Sequence, residues 1–273
     1  MKISLASGAF LLAVSMAAQA QDGGLPLWEV GVFGGAASTP AYPGAQEKTS
    51  RALVIPTFIY RGEVFRSDRG GIGARLMRTN DLELDVGFAG SLPSDSDNTV
   101  VRQGMTDLGT LIEFGPRVKW TLARPATGSQ VRLVLPVRAV LEFNSGVNGQ
   151  GLAFEPELVF ETRNVAGGWG LSASASLVWG DRKLNNYFYG VTPQFATSSR
   201  PAFDAQSGLI ATRVGLSSSK EITPDIRVFG FARFETYSGA ANLASPLHVA
   251  SSGSSVGIGL SWTLGRSAQR AAN

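Results

Sequence analysis

Apolar and small polar residues alternate from residue 169 onward. Trp169, Leu171, Ala173, Ala175, Leu177 and Trp179 take every second position, and Gly170, Ser172, Ser174, Ser176 and Gly180 lie between them, with Val178 the exception. Side chains on a strand point alternately to opposite faces, so this stretch predicts a strand with one apolar and one small polar face. The pattern returns near the end of the chain, where Val256, Ile258, Leu260, Trp262 and Leu264 alternate with Ser255, Gly257, Gly259, Ser261 and Thr263. A charged version occupies the middle: Val131, Leu133, Leu135, Val137, Ala139, Leu141 and Phe143 against Arg132, Val134, Pro136, Arg138, Val140 and Glu142. A helical period would put Arg132 and Leu135 on one face, and the many glycines and β-branched residues are poor helix formers.

Repeated along the chain, this pattern predicts about twelve strands, near 27–37, 51–61, 63–67, 71–78, 82–92, 106–122, 129–143, 151–163, 168–181, 205–218, 225–238 and 252–265. The connections alternate between short (62, 79–81, 125–128, 164–167, 219–224) and long (38–50, 93–105, 144–150, 182–204, 239–251). Short turns on one side and long loops on the other mark an antiparallel transmembrane β-barrel. The parity requires a tight turn at Asp68 to Gly70; without it the count falls to ten or eleven. An even count places both termini on the periplasmic side. Strands near 51–61 and 225–238 carry apolar residues on both faces, so alternation alone does not say which face meets lipid there.

Composition is consistent with this picture. Charged residues make up 16 % of the 273 residues, glycine contributes 33, and cysteine is absent. Beyond residue 20 no unbroken apolar run is long enough for a membrane helix. Lys2, the apolar Ile3 to Met16 and the Ala18-Gln19-Ala20 pattern read as a secretory signal cleaved after Ala20, which leaves residues 21–273 as one outer-membrane barrel. The net charge of +3 is spread among acidic residues, so no nucleic-acid footprint is expected.

Candidate chemistry is sparse. His248 is the sole histidine and falls in a predicted loop, where an exposed side chain is expected; its nearness to Ser251 and Ser252 is too generic for a hydrolase motif. Without cysteine, thiol nucleophiles and cysteine-ligated zinc are excluded. The pairs Gly34-Gly35, Gly70-Gly71 and Gly167-Gly168 lack the lysine and following helix of a phosphate loop. No catalytic residue, cofactor or metal is expected. The most informative polar set opposes the apolar faces: Glu83, Asp85, Glu113, Arg117, Lys119, Arg132, Arg138, Glu142, Glu155, Glu157, Glu161, Arg163 and Arg213. Charge on the lipid face is costly, so these residues are expected in the lumen. Their mixed signs favour a lumen cross-linked by ion pairs over a selectivity lining. The segment 182–204 carries Tyr187, Phe188, Tyr189, Phe195 and Phe203, which either form an exposed binding surface or fold back onto the barrel mouth.

Three stretches resemble the MipA/OmpV family of MltA-interacting outer-membrane proteins: Ala37 to Gly44 with its Tyr42-Pro43-Gly44 core, Tyr187 to Pro193, and Arg200 to Gly208. The matching positions are Tyr42, Pro43, Gly44, Tyr187, Gly190, Pro193, Pro201, Phe203 and Asp204, and the resemblance covers essentially the whole mature chain. It implies a non-enzymatic barrel in the outer-membrane lipid and carries over no catalytic residue. It also implies a scaffold for murein remodelling, with a lytic transglycosylase and a murein synthase as partners, or a role in adhesion or stress response. A narrow small-solute channel is the alternative that the lumen charges suggest, and a hydrolase using His248 is a third.

Overall fold

The computed structural model describes residues 24–68, 71–144 and 146–271. The expected leader lies outside these residues, as does part of the predicted turn at 68–70. The described chain forms one antiparallel sheet of β1 (Trp28–Pro40), β2 (Lys48–Arg61), β3 (Phe65–Asp68), β4 (Gly71–Arg78), β5 (Leu82–Ser91), β6 (Thr110–Ala123), β7 (Ser129–Phe143), β8 (Val147–Phe154), β9 (Glu157–Val165), β10 (Trp169–Gly180), β11 (Gly208–Glu221), β12 (Ile226–Thr236) and β13 (Ser252–Arg266). Apart from β8 with β9, each strand pairs with its neighbours in sequence, and β13 returns to pair with β1 from Glu29 opposite Arg266 to Ser38 opposite Val256. The sheet is therefore closed and has no free edge, which satisfies every spanning strand without water.

Thirteen segments make a twelve-stranded barrel because β8 and β9 together act as one strand. Both pair with β7, at Val137 to Phe143 and at Ser129 to Val134, and both meet β10. The break falls at Glu155-Pro156, beside Pro136 of β7. Two facing prolines remove two N–H donors, so the ladder lapses between them. Asp68 lies opposite Gly71, so β3 and β4 are a separate pair and the even parity holds.

The two faces divide as the alternation predicts. Trp169 and Trp179 both stand outward at opposite ends of β10, and Val256, Ile258, Leu260, Trp262 and Leu264 are exposed along β13. The ambiguous strands are also resolved. On β2, Val54 and Phe58 face outward while Leu53, Ile55 and Ile59 turn inward; on β12, Phe234 is outward while Phe229 and Phe231 turn inward. Phe229 stacks on Phe33 at 5.3 Å. A Cβ at Gly259 would sit 2.3 Å from the Phe229 ring, and one at Gly257 would sit 2.3 Å from Phe231. The glycines of the last strand thus make room for two inward aromatic rings. Phe33, Leu53, Ile55, Ile59, Phe229 and Phe231 give β1, β2 and β12 an apolar inner patch, and most of the predicted lumen charges lie on β5 to β9.

Several boundaries differ from the sequence reading. β1 and β2 extend to Pro40 and Lys48, so the first loop is only 41–47. β6 starts at Thr110 rather than 106, and β11 starts at Gly208 rather than 205, because Leu108 and Ala205 are buried among the loops. The segment predicted as a loop at 182–204 contains a helix, α1 (Arg182–Tyr189), capped where the Asp181 carboxylate accepts from the Leu184 N–H at 2.8 Å. Eight residues give too few turns for a helical period to show. The fully buried apolar side chains, among them Tyr189, Tyr237, Ile210 and Leu247, gather at the long-loop end of the barrel.

Candidate functional site

A folded cap closes the long-loop end. It is built from the first loop, the 92–109 loop, the α1 segment and the 237–251 loop. The phenol of Tyr42 donates to the Leu247 carbonyl oxygen at 2.5 Å, and the Gly44 carbonyl accepts the N–H groups of Val249 and Ala250, both at 2.9 Å. Gly44 has φ +90°, a conformation open to glycine, and a Cβ there would meet the His248 ring at 2.9 Å. Ser245 donates to the Tyr189 carbonyl, and Asn242 bonds both Asn185 and Gln206. Val191 and Phe203 form a two-residue bridge that closes the loop after α1. Arg182 pairs with Asp204, and that hydrogen bond lowers the Asp204 carboxyl below the usual range.

Two arginines stitch the cap through neutral acceptors. Arg102, 3 % exposed, donates to the carbonyls of Phe188 and Thr106, both at 3.2 Å, and lies over the Tyr42 ring. Arg200 donates to the carbonyls of Val101 (2.9 Å), Gln103 (3.0 Å) and Phe195. Burial lowers the Arg102 pKa and raises that of Tyr42. The aromatics of 182–204 therefore fold back onto the mouth: Tyr189 is buried, and Tyr187 donates to Glu142 at 3.0 Å. The motif positions Tyr42, Gly44, Tyr187, Gly190, Phe203 and Asp204 converge in this cap although they lie far apart in sequence, with Pro43, Pro193 and Pro201 in the same loops.

His248 departs from expectation. It is not an exposed loop histidine: its ring packs against Tyr189 (5.5 Å between centroids) and edge-on against Tyr237 (5.3 Å). Its Nε2 is buried with no hydrogen-bond partner among the described residues, and burial lowers its pKa. Sequence reading missed this cluster because Tyr237 and His248 come from a loop without periodic pattern.

Below the cap, charged side chains form two networks. Toward the short-turn end, Asp85 takes a bidentate contact from Arg117 at 2.9 and 2.7 Å and a contact from Lys119 at 2.8 Å. Lys119 also reaches Glu83 at 2.9 Å, which Arg75 holds at 3.0 Å. Arg117 fits because its partner strand has Gly87 beside it, where a Cβ would lie 2.9 Å from the guanidinium. Arg132 pairs with Glu161. The second network lies nearer the cap. Arg138 joins Glu113 (3.0 Å) to Glu155 (2.5 Å), and Arg213 joins Glu155 (3.0 Å) to Glu235 (3.4 Å); Arg233 reaches Glu235 at 3.3 Å. Of the other predicted lumen charges, Glu142 is buried as a cap anchor, accepting from Gly109, Gln150 and Tyr187. Glu157 bonds Ser174, and Arg163 stands exposed at the end of β9. Arg75, Glu235 and Arg233 join these networks without having been singled out from sequence. Their signal was present as alternation with Leu76 and Phe234, but β12 carries aromatics on both faces.

A cavity of about 200 Å³ lies between the cap and the upper network. Tyr42, Leu111, Phe188 and Ile210 are among the residues that line it, as are all six charged residues of that network.

A family model described as MltA-interacting protein MipA matches residues 31–264. No curated protein matches the chain. Among solved structures, an outer membrane channel of Pseudomonas putida F1 aligns over 90 % of this chain and 100 % of its own, at 11 % identity and TM-score 0.48. Outer membrane phospholipase A from Escherichia coli aligns over 88 % and 94 % at 9 % identity and TM-score 0.34. The Pseudomonas putida toluene transporter TodX aligns over 89 % and 90 % at 10 % identity and TM-score 0.33.

Proposed function

Because the chain belongs to the MltA-interacting protein MipA family, we propose that it is a non-enzymatic outer-membrane barrel that holds murein-remodelling enzymes at the cell envelope. The observation that carries this reading is the closure of the barrel. A packed cap sits over a lumen whose charged side chains are tied to one another in ion pairs, which favours a rigid platform over a passage. The family description names a murein enzyme as partner, and the short turns of the periplasmic rim, such as Asn80-Asp81 and Thr223-Pro224-Asp225, form the face open to it. In the cap, the His248 imidazole packs against phenol rings rather than a serine hydroxyl, which supports a non-catalytic role.

Affinity capture with the tagged barrel, from envelopes cross-linked before solubilisation, tests the proposal. Enrichment of a lytic transglycosylase and a murein synthase is expected; their absence overturns it. The charged lumen favours one second reading, a narrow small-solute channel, which steady single-channel conductance in planar bilayers would establish. The leader is proposed to be cut after Ala20, and the mass of the mature protein should correspond to a chain starting at Gln21.

A further inference from the structure

The upper charge network is an open chain rather than a closed ring. Its members alternate in sign in the order Glu113, Arg138, Glu155, Arg213, Glu235, Arg233. They run from β6 through β7, the β8–β9 break and β11 to β12, which is the shorter way around the barrel. The two ends carry opposite charges, and each has one ion-pair partner where every interior member has two. Glu113 is held through Oε2 alone, by Arg138 at 3.0 Å. Arg233 uses Nη2 for two long contacts, to Glu235 and to Ser255 Oγ, both at 3.3 Å, and its buried Nε has no partner among the described residues. The interior contacts run from 2.5 Å, between Arg138 and Glu155, to 3.4 Å, between Arg213 and Glu235.

Both loose ends line the same cavity. Its charged lining consists of these three arginines and three glutamates, so it has no net charge. Such a lining favours no simple anion or cation over the other. It does favour a molecule carrying both charges, one for each open end. Burying a charge is costly without a partner, and here each terminus of the guest meets one. The lining also includes the apolar Leu111, Phe188 and Ile210. A volume of about 200 Å³ is below the ~300–1,000 Å³ of drug-sized pockets, which limits the guest to the scale of an amino acid or dipeptide.

We propose that this chamber binds a small zwitterion with an apolar side chain, of amino-acid or dipeptide size, its ammonium on Glu113 and its carboxylate on Arg233. The guest closes the ion chain into a ring. The inference is independent of the enzyme-tethering reading, since the chamber lies on the cap side and the enzymes would meet the opposite rim.

The test is isothermal titration calorimetry of the refolded mature barrel in micelles with L-alanyl-L-leucine, its N-acetyl derivative and its C-terminal amide. The free dipeptide is expected to bind at one per barrel, and blocking either end to weaken binding at least tenfold. In Glu113→Gln the penalty for N-acetylation disappears; in Arg233→Gln the penalty for amidation disappears. Heat-modifiable migration in gels confirms that each variant is folded. No saturable heat from the free dipeptide overturns the proposal, as does equal affinity for all three compounds. That comparison uses the unmodified barrel, so it decides the matter even if a variant fails to fold.

Discussion

Tyr42 and Leu247 lie 205 residues apart, and the phenol of one donates to the carbonyl of the other at 2.5 Å inside the cap. This bond joins the first loop to the last one, and the barrel mouth closes between them. Replacing Tyr42 with Phe leaves the Leu247 carbonyl buried without its donor, at a cost of about 1–3 kcal/mol. Faster amide exchange in residues 240–250 is expected, with strand protection unchanged. Equal exchange in the variant and the parent would show that the bond does not hold the cap.

Acid should loosen the same region. Burial depresses the folded-state pKa of His248 below the ordinary histidine value of about 6.5. A depressed basic group binds fewer protons folded than unfolded, so its contribution is present above about 6.5 and lost as pH falls through the folded value. The titratable groups against the ring are the phenols of Tyr189 and Tyr237, with Tyr42 bonded to the neighbouring Leu247 carbonyl; Glu235 and Arg213 act on Tyr189 from below. Loop proteolysis between pH 7.5 and 5 should rise in the parent and stay flat in His248→Phe. A matching rise in the variant would assign the effect to other groups.

Glu155 occupies the middle of the upper network, between Arg138 and Arg213. Glu155→Gln leaves two inward guanidiniums facing each other without their shared anion. Breaking a buried pair from one side costs about 3–5 kcal/mol, and the partial exposure of these three side chains, 15–20 %, places this case at the lower end. The urea midpoint of the barrel in lipid should fall accordingly, whereas Arg163→Gln, at an exposed strand end, should leave it unchanged.

Gly259 is tested by overpacking. A methyl there would meet the Phe229 ring at 2.3 Å, so Gly259→Ala should destabilise by about 1–3 kcal/mol. Adding Phe229→Ala should recover part of that loss, which a double-mutant cycle on unfolding midpoints would read. Strict additivity of the two changes would mean that the ring and the glycine do not compete for space.

Much of the barrel is legible in the sequence because a strand's period of two is local. Trp169 to Trp179 and Val256 to Leu264 announce a lipid face and a lumen face without reference to any other segment. Loop-length parity then fixes the two ends, since each hairpin depends only on its own turn. The motif stretches at Tyr42 to Gly44, Tyr187 to Pro193 and Arg200 to Gly208 are readable as words, but not as neighbours.

Where two strands are apolar on both faces, local pattern fails. Phe229 and Phe231 turn inward because Gly257 and Gly259 on the adjoining strand leave volume for their rings, a fact about register rather than about β12. The same holds for Glu113 and Arg233. Their inward placement follows from alternation, yet only closure of the sheet puts them across one cavity as ends of one charge chain. Sequence by itself determined a closed antiparallel barrel with long loops at one end, because alternation and turn length act over a few residues. Tertiary structure alone decided that the loops form a packed cap with His248 inside it, because that packing depends on contacts between residues as far apart as Tyr42 and Leu247.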